Sequence, residues 1–285
     1  MFKSVISAVD GSVSSLNALR QAIALAKSEK GVTKVLSVAP PYTGDLGLVG
    51  VHQHVDDVIK EPYRKALEQA KIVADQSSVV VKTILEVGEP AEKIVEIAED
   101  LNCDLIVVGT QGGNPAKTAL VGSTASTVIG LSHINVLAVP ATSFVNLDRI
   151  LLAVDGSDCS NAAALAAFEI QKSYGSKIVA LAVADIPSHL YGLDANAANR
   201  MLKEAVEALD NIRLKSDEIG AQIEPIVREG SPTRIINETA SEKRIGLIVM
   251  GSHGRTGLKR LLMGSVAAGV IGRAPCPVLI AKHPA

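Results

Sequence analysis

The chain has no tryptophan, and aromatic residues make up only 2% of its 285 residues. Stacking platforms for the bases of a nucleic acid are therefore missing. A formal net charge of −2 adds no general attraction to a phosphate backbone. Cys103, Cys159 and Cys276 are scattered and odd in number, which argues against a disulfide framework or a zinc site and for a reducing compartment. No apolar run approaches the roughly 18 residues of a membrane span. The N-terminal stretch Met1–Val9 reads as a strand too short for a signal peptide. These absences lead to the expectation of a soluble, cytoplasmic protein with neither nucleic acid nor membrane as partner. The Gly-Lys-Ser/Thr loop of ordinary nucleotide-driven engines is also lacking. No motif assembles a nucleophile with a histidine and an acid, so the chain is expected not to be an enzyme; slow incidental hydrolysis of a bound nucleotide is left open.

What is abundant is Val, Ile, Leu and Ala, within a hydrophobic content of 47%. Cores of this kind suit parallel sheets covered by helices. Ile245–Met250 is a short apolar run, read as a buried strand, and Gly251-Ser-His-Gly254 follows it. Nine residues later come Gly264-Ser265 and the small apolar residues of a packed helix. Glycines let a backbone approach a ligand closely, and N–H groups at a helix start point at an anion. A glycine loop alone is a weak signal, but the chain contains this one twice. Gly109-Thr-Gln-Gly112, nine residues and Gly122-Ser123 repeat the spacing after Asp104–Val108.

The rest of the chain repeats as well. Val5–Ser12 and Ile150–Ser157 both run through Ala-Val-Asp-Gly-Ser, placing Asp155 145 residues after Asp10. Gly251 follows Gly109 by 142, so the length change falls in the crossover and long helix between these landmarks. Tandem domains at 1–142 and 148–285 are expected, joined through a linker at Ala141–Asp148. Each reads β-α-β-α-β-α-β-α-β, a five-stranded parallel sheet with helices on both faces. Ligands of such sheets sit beyond the carboxyl ends of the strands, where strand order reverses. Asp10 and Asp155 end their first strands and the glycine loops end the fourth.

The repeated Ala-Val-Asp-Gly-Ser, the repeated Gly-x2-Gly-x9-Gly-Ser, the phrase Val249–Arg255 and Pro275-Cys-Pro277 together make the chain resemble a tandem universal stress protein. The likeness covers essentially both halves. It implies a Rossmann-like α/β fold with strand order 3-2-1-4-5 and, in the nucleotide-binding branch, ATP or another adenine nucleotide, with or without Mg. In the second half it gives Asp155 and Val183 to the adenosine. Met250, Gly251 and Gly254 would line ribose and phosphates, and Gly264, Ser265 and Val266 would hold phosphate. The matching first-half positions are Asp10, Val38, Val108, Gly109, Gly112, Gly122, Ser123 and Thr124. The resemblance also implies that the halves pack as a pseudo-twofold pair, as two separate chains of the family do. A nucleotide sensor of this kind is expected to act on an unidentified protein partner, and a homodimer of whole chains is left open.

The residues themselves carry a carboxylate that can accept from ribose hydroxyls or an exocyclic amine. They equally permit Asp-Gly-Ser to be a helix-initiating turn. A phosphoacceptor aspartate would need companion acids for a metal, and neither first strand ends in them. His52 and His54, with Asp56 and Asp57 close by, invite a metal reading, but they lie in a glycine-rich crossover without a counterpart in the second half and read as a solvated lid. His253 and Arg255 are candidates for phosphate contact. The second loop carries Arg255, Lys259 and Arg260, the first only Lys117, with Gln111 and Gly113 in place of the histidine and arginine. Unequal sites follow, with the second half expected to bind a triphosphate more tightly.

Overall fold

The computed structural model describes residues 1–41, 52–111, 121–187, 189–254 and 263–282, with backbone alone for 52–56. The chain divides into two compact units, Met1–Thr142 and Ser143–Ala285.

In the first unit β1 (Ser4–Ala8), β2 (Val32–Ala39), β3 (Lys82–Val87), β4 (Leu105–Gly109) and β5 (Asn135–Val139) alternate with α1 (Val13–Ser28), α2 (His52–Gln76), α3 (Pro90–Asp100) and α4 (Ser123–Leu131). All strands are parallel, in the order β3-β2-β1-β4-β5. The second unit follows the same plan. Its strands are β6 (Arg149–Val154), β7 (Lys177–Ala184), β8 (Ile223–Glu229), β9 (Leu247–Gly251) and β10 (Val278–Ala281). Its helices are α5 (Asp158–Tyr174), the short α6 (Leu190–Leu193), α7 (Ala195–Glu218), α8 (Pro232–Glu242) and α9 (Ser265–Ile271). The order β8-β7-β6-β9-β10 is again parallel throughout. In both units the order reverses between the first and fourth strands, the place where parallel sheets open a crevice.

Local chemistry explains these elements. Leu105, Ile106 and Val107 in β4, and Leu247, Ile248 and Val249 in β9, are buried without alternation, because helices cover both faces of each sheet. The hydroxyls of Ser12 and Ser157 accept from the N–H groups of Ser15 and Ser160 at 3.2 and 3.1 Å, capping α1 and α5. Pro90 and Pro232 open α3 and α8, where a missing N–H costs nothing. In α7 Ala198, Ala205, Ala208, Leu209 and Ile212 face inward and the charges point out.

Two readings of the sequence change. Helix α2 begins at His52, so His52 and His54 stand in its first turn rather than in a glycine-rich crossover. The single turn of α6 has no counterpart among the elements expected from the sequence.

Candidate nucleotide site

The polypeptide turns sharply at the end of β6. Gly156 adopts φ of +81°, a left-handed conformation, as does Gly11 in the first unit. This turn lets the Asp155 carboxylate fold back on its own loop. Its Oδ1 accepts from the Ser157 N–H at 3.0 Å and the Ser157 hydroxyl at 2.6 Å. The same hydroxyl approaches the His253 carbonyl at 3.4 Å, so one serine links the first strand's turn to the loop after β9. In the first unit the Ser12 N–H donates to Asp10 Oδ1 at 2.9 Å, and the Ser12 hydroxyl reaches the Gln111 carbonyl at 3.5 Å. The helix-turn reading of Asp-Gly-Ser is thus correct as a description of backbone. It leaves Asp155 Oδ2 directed at the loop.

Glycine is required where the loop crosses the first strand's helix. A Cβ on Gly251 would stand 2.6 Å from Cys159 Cβ and 2.7 Å from the Cys159 carbonyl carbon; one on Gly109 would meet the Ser14 carbonyl carbon at 2.7 Å. The Gly264 N–H donates to the Ser252 carbonyl at 2.9 Å, as the Gly122 N–H does to the Thr110 carbonyl at 2.8 Å. Gly264 and Gly122 are the N-caps of α9 and α4, and neither helix start has a side-chain cap. The first N–H groups of both helices therefore lack a side-chain acceptor, the state of helix starts that receive anions.

Between these features lies a cleft of about 340 Å³ in the second unit. It brings together Asp155, Val183, Met250, Gly251, His253, Gly254, Gly264, Ser265 and Val266, the second-half residues singled out in the sequence apart from Arg255. Arg255, Lys259 and Arg260 lie outside the described residues, as do Gly112 and Lys117 of the first loop. In the first unit Asp10 stands two residues past the end of β1, Val38 is buried near the end of β2, and Val108 and Gly109 end β4. Gly122, Ser123 and Thr124 form the start of α4.

His253 is half-buried, and its Nδ1 lies 3.1 Å from the Ser252 hydroxyl. Burial, and then the charge of Lys282, hold its imidazole below the ordinary value of 6.5, which favours the neutral ring. Lys282, just past β10, is itself pushed down to about 8 by burial, with Cys159 acting in the opposite direction. Tyr63 in the first unit is pushed up, first by burial and then by the charge of Asp10. Equivalent positions on α2 and α7 are fixed by contact: a Cβ on Gly11 would touch Ala66, and one on Gly156 would touch Ala208. On that register Tyr63 matches Ala205.

The cleft also contains Ser157 and Ser252 from within the motifs, and Asp185, Met201, Glu204, Pro232 and Ile236, which the motifs did not indicate. Asp185 lies only two positions beyond Val183 and was within reach of the strand reading. Met201 and Glu204 come from the crossover helix, whose rotation is set by packing.

Both units match the Universal stress protein family, over residues 1–140 and 146–282. Universal stress protein MJ0531 of Methanocaldococcus jannaschii is 40% identical over 141 residues, which is 48% of this chain and 82% of the relative. Universal stress protein YxiE of Bacillus subtilis is 34% identical over 149 residues, covering 47% of this chain and 99% of its own. A crystal structure of a universal stress protein from Archaeoglobus fulgidus aligns with a TM-score of 0.71 at 22% identity, over 99% of this chain and 97% of that one, a likeness of fold. No described helix is long and apolar enough to cross a membrane. With two matched units, the same strand order in each and a glycine cradle repeated in sequence, the chain belongs to the universal stress protein family.

Proposed function

We propose that the second unit binds an adenine nucleotide, ATP in the first instance, and that the protein senses this ligand rather than transforming it. The observation that carries the reading is the cleft itself. One side is built from the start of α9, where the N–H groups of Ser265 and Val266 have no side-chain cap, the other from Asp155, Val183 and apolar side chains. That polarity suits a ligand with phosphates at one end and a flat, mostly apolar base at the other. The residues fit the group in a second respect. Gly254 leaves Asp155 Oδ2 uncovered on the side where a Cβ would stand 2.7 Å away, as a carboxylate receiving ribose hydroxyls requires.

The absence of an assembled nucleophile in the sequence motifs supports a sensor. Among the described residues no three acids, histidines or cysteines converge to hold a metal, so Mg would arrive with the phosphates. Phosphate held at the α9 end changes the surface there, which a protein partner or a second copy of the chain would read. The first unit keeps the backbone donors but has fewer loop cations in its sequence, and it is proposed as the weaker site.

Denaturing the purified protein and chromatographing the supernatant tests the reading directly. Released adenine nucleotide, or calorimetric binding of added ATP that Gly264→Val abolishes, is expected. Neither release nor binding would leave an interaction module of the same fold.

A further inference from the structure

We infer that Asp185 and Glu204 read the base of the bound nucleotide, making the second-unit cleft selective for a heterocycle that carries an exocyclic amine. The inference rests on the nucleotide reading above and concerns the part of the cleft lined by β7 and α7. Asp185 follows the last residue of β7, and Glu204 lies on α7, one turn before Ala208. Both line the same cleft as Leu181, Val183, Met201 and Ile236. These apolar groups make a slot for a flat ring, and the two acids stand on its rim, their residues exposed to solvent.

A carboxylate accepts hydrogen bonds and donates none. Of the atoms on a nucleotide base, it favours N–H groups and repels ring nitrogens and carbonyl oxygens. Phosphates anchored at Gly264–Val266 and ribose at Asp155 send the base toward β7 and α7. There, two acceptor-only groups favour an edge that bears an amino group with two hydrogens to give. A cation trap is the other use of clustered acids, and no metal-binding group of three forms among the described residues.

The first unit supplies an internal contrast. The residue after β2 is Pro40, matching Asp185 by the same 145-residue displacement that relates Asp155 to Asp10. On the α2–α7 register fixed by the Gly11–Ala66 and Gly156–Ala208 contacts, Glu204 corresponds to Pro62. Proline's side chain neither gives nor accepts a hydrogen bond. Both base-reading acids are therefore private to the unit whose loop is also rich in cations, and the two features assign phosphate strength and base choice to one site.

The test compares ATP with purine riboside 5′-triphosphate, which is ATP without the 6-amino group, by calorimetry on the full chain. Wild type should prefer ATP by about tenfold or more, the effect of a hydrogen bond to a charged acceptor. Asp185→Ala and Glu204→Ala, singly and together, should collapse that ratio toward one, with the affinity for the amine-free ligand little changed. Equal affinity of wild type for the two ligands would overturn the inference. So would variants that weaken both ligands in parallel, since that reports general damage to the cleft. Failure of wild type to bind either triphosphate would instead refute the nucleotide reading on which this rests.

Discussion

Gly254 faces Asp155 so closely that a methyl group added to it would stand 2.7 Å from Asp155 Oδ2. The carboxylate has little room to retreat, because Ser157 holds its Oδ1 with both a backbone N–H and a hydroxyl. Gly254→Ala should therefore displace Asp155 and weaken ATP binding about tenfold, while the melting temperature changes little. Asp155→Ala should weaken it on the order of tenfold to a hundredfold, the range of a hydrogen bond to a charged group. Because both changes act through one carboxylate, Gly254→Ala should cost almost nothing further once Asp155 is alanine. Calorimetry on the four proteins of this cycle decides the matter, and additive losses would mean that Gly254 acts on its own.

Ser157 caps α5 and also holds Asp155, whereas Ser12 caps α1 and gives Asp10 only its backbone N–H. Ser157→Ala and Ser12→Ala should each lower stability by about 1 kcal/mol, the usual effect of losing an N-cap. Only Ser157→Ala should also reduce ATP affinity in the second unit. Chemical denaturation paired with ATP titration separates the two roles.

These relationships show what a sequence reading reaches and where it stops. The strands are legible, because buried parallel strands are unbroken apolar runs and the repeat marks equivalent positions twice; their order, which sets Asp155 and Gly251 at adjacent strand ends, comes only from the family resemblance. The cradle is legible because its glycines answer to backbone contacts that no side chain permits, as Gly251 against Cys159 shows. Glu204 and Met201 are not. Their place in the cleft depends on the rotation of α7 about its axis, which Ala208 and its buried neighbours fix by packing. His52 escapes a sequence reading for a related reason: a helix that starts after a glycine-rich segment without a capping signal gives no mark of its first residue. Lys282 gives no sign of burial, since one lysine after an apolar strand reads as the strand's exit into solvent.

Gly264 and Gly122 occupy matching positions, each donating its N–H to the carbonyl of the residue that follows its β-strand. A side chain at either would stand where phosphate approaches; at Gly264 a Cβ would also press on the Ser252 carbonyl at 3.0 Å. The loops differ in charge, with Arg255, Lys259 and Arg260 in one and Lys117 in the other. Each lost charge-assisted contact removes about 1–2 kcal/mol, so two would move a micromolar site to roughly millimolar. Gly264→Val should abolish tight ATP binding and Gly122→Val should spare it. The opposite result would reverse the assignment of the sites and defeat the charge argument.

Lys282 should make the protein more stable in mild alkali. Burial lowers its ammonium to about 8, against an ordinary 10.5 that the unfolded chain restores. Below pH 8 both states carry the proton and the folded state bears the whole cost of burying a charge. Between about 8 and 10.5 the unfolded chain binds more protons, so stability rises with pH. Each pH unit between the two values contributes ~1.4 kcal/mol, so the full rise is on the order of 3 kcal/mol. Other groups titrate in the same window, so the measurement is a difference: urea unfolding of wild type and Lys282→Met from pH 7 to 10.5. Methionine retains the stem and removes the charge, so the variant should be the more stable at pH 7, with its advantage fading as the pH rises. His253 gives an independent check, because Lys282 helps to hold its imidazole below 6.5. In the variant that imidazole should titrate nearer its ordinary value, and an unmoved His253 resonance would mean that the two side chains do not share a field.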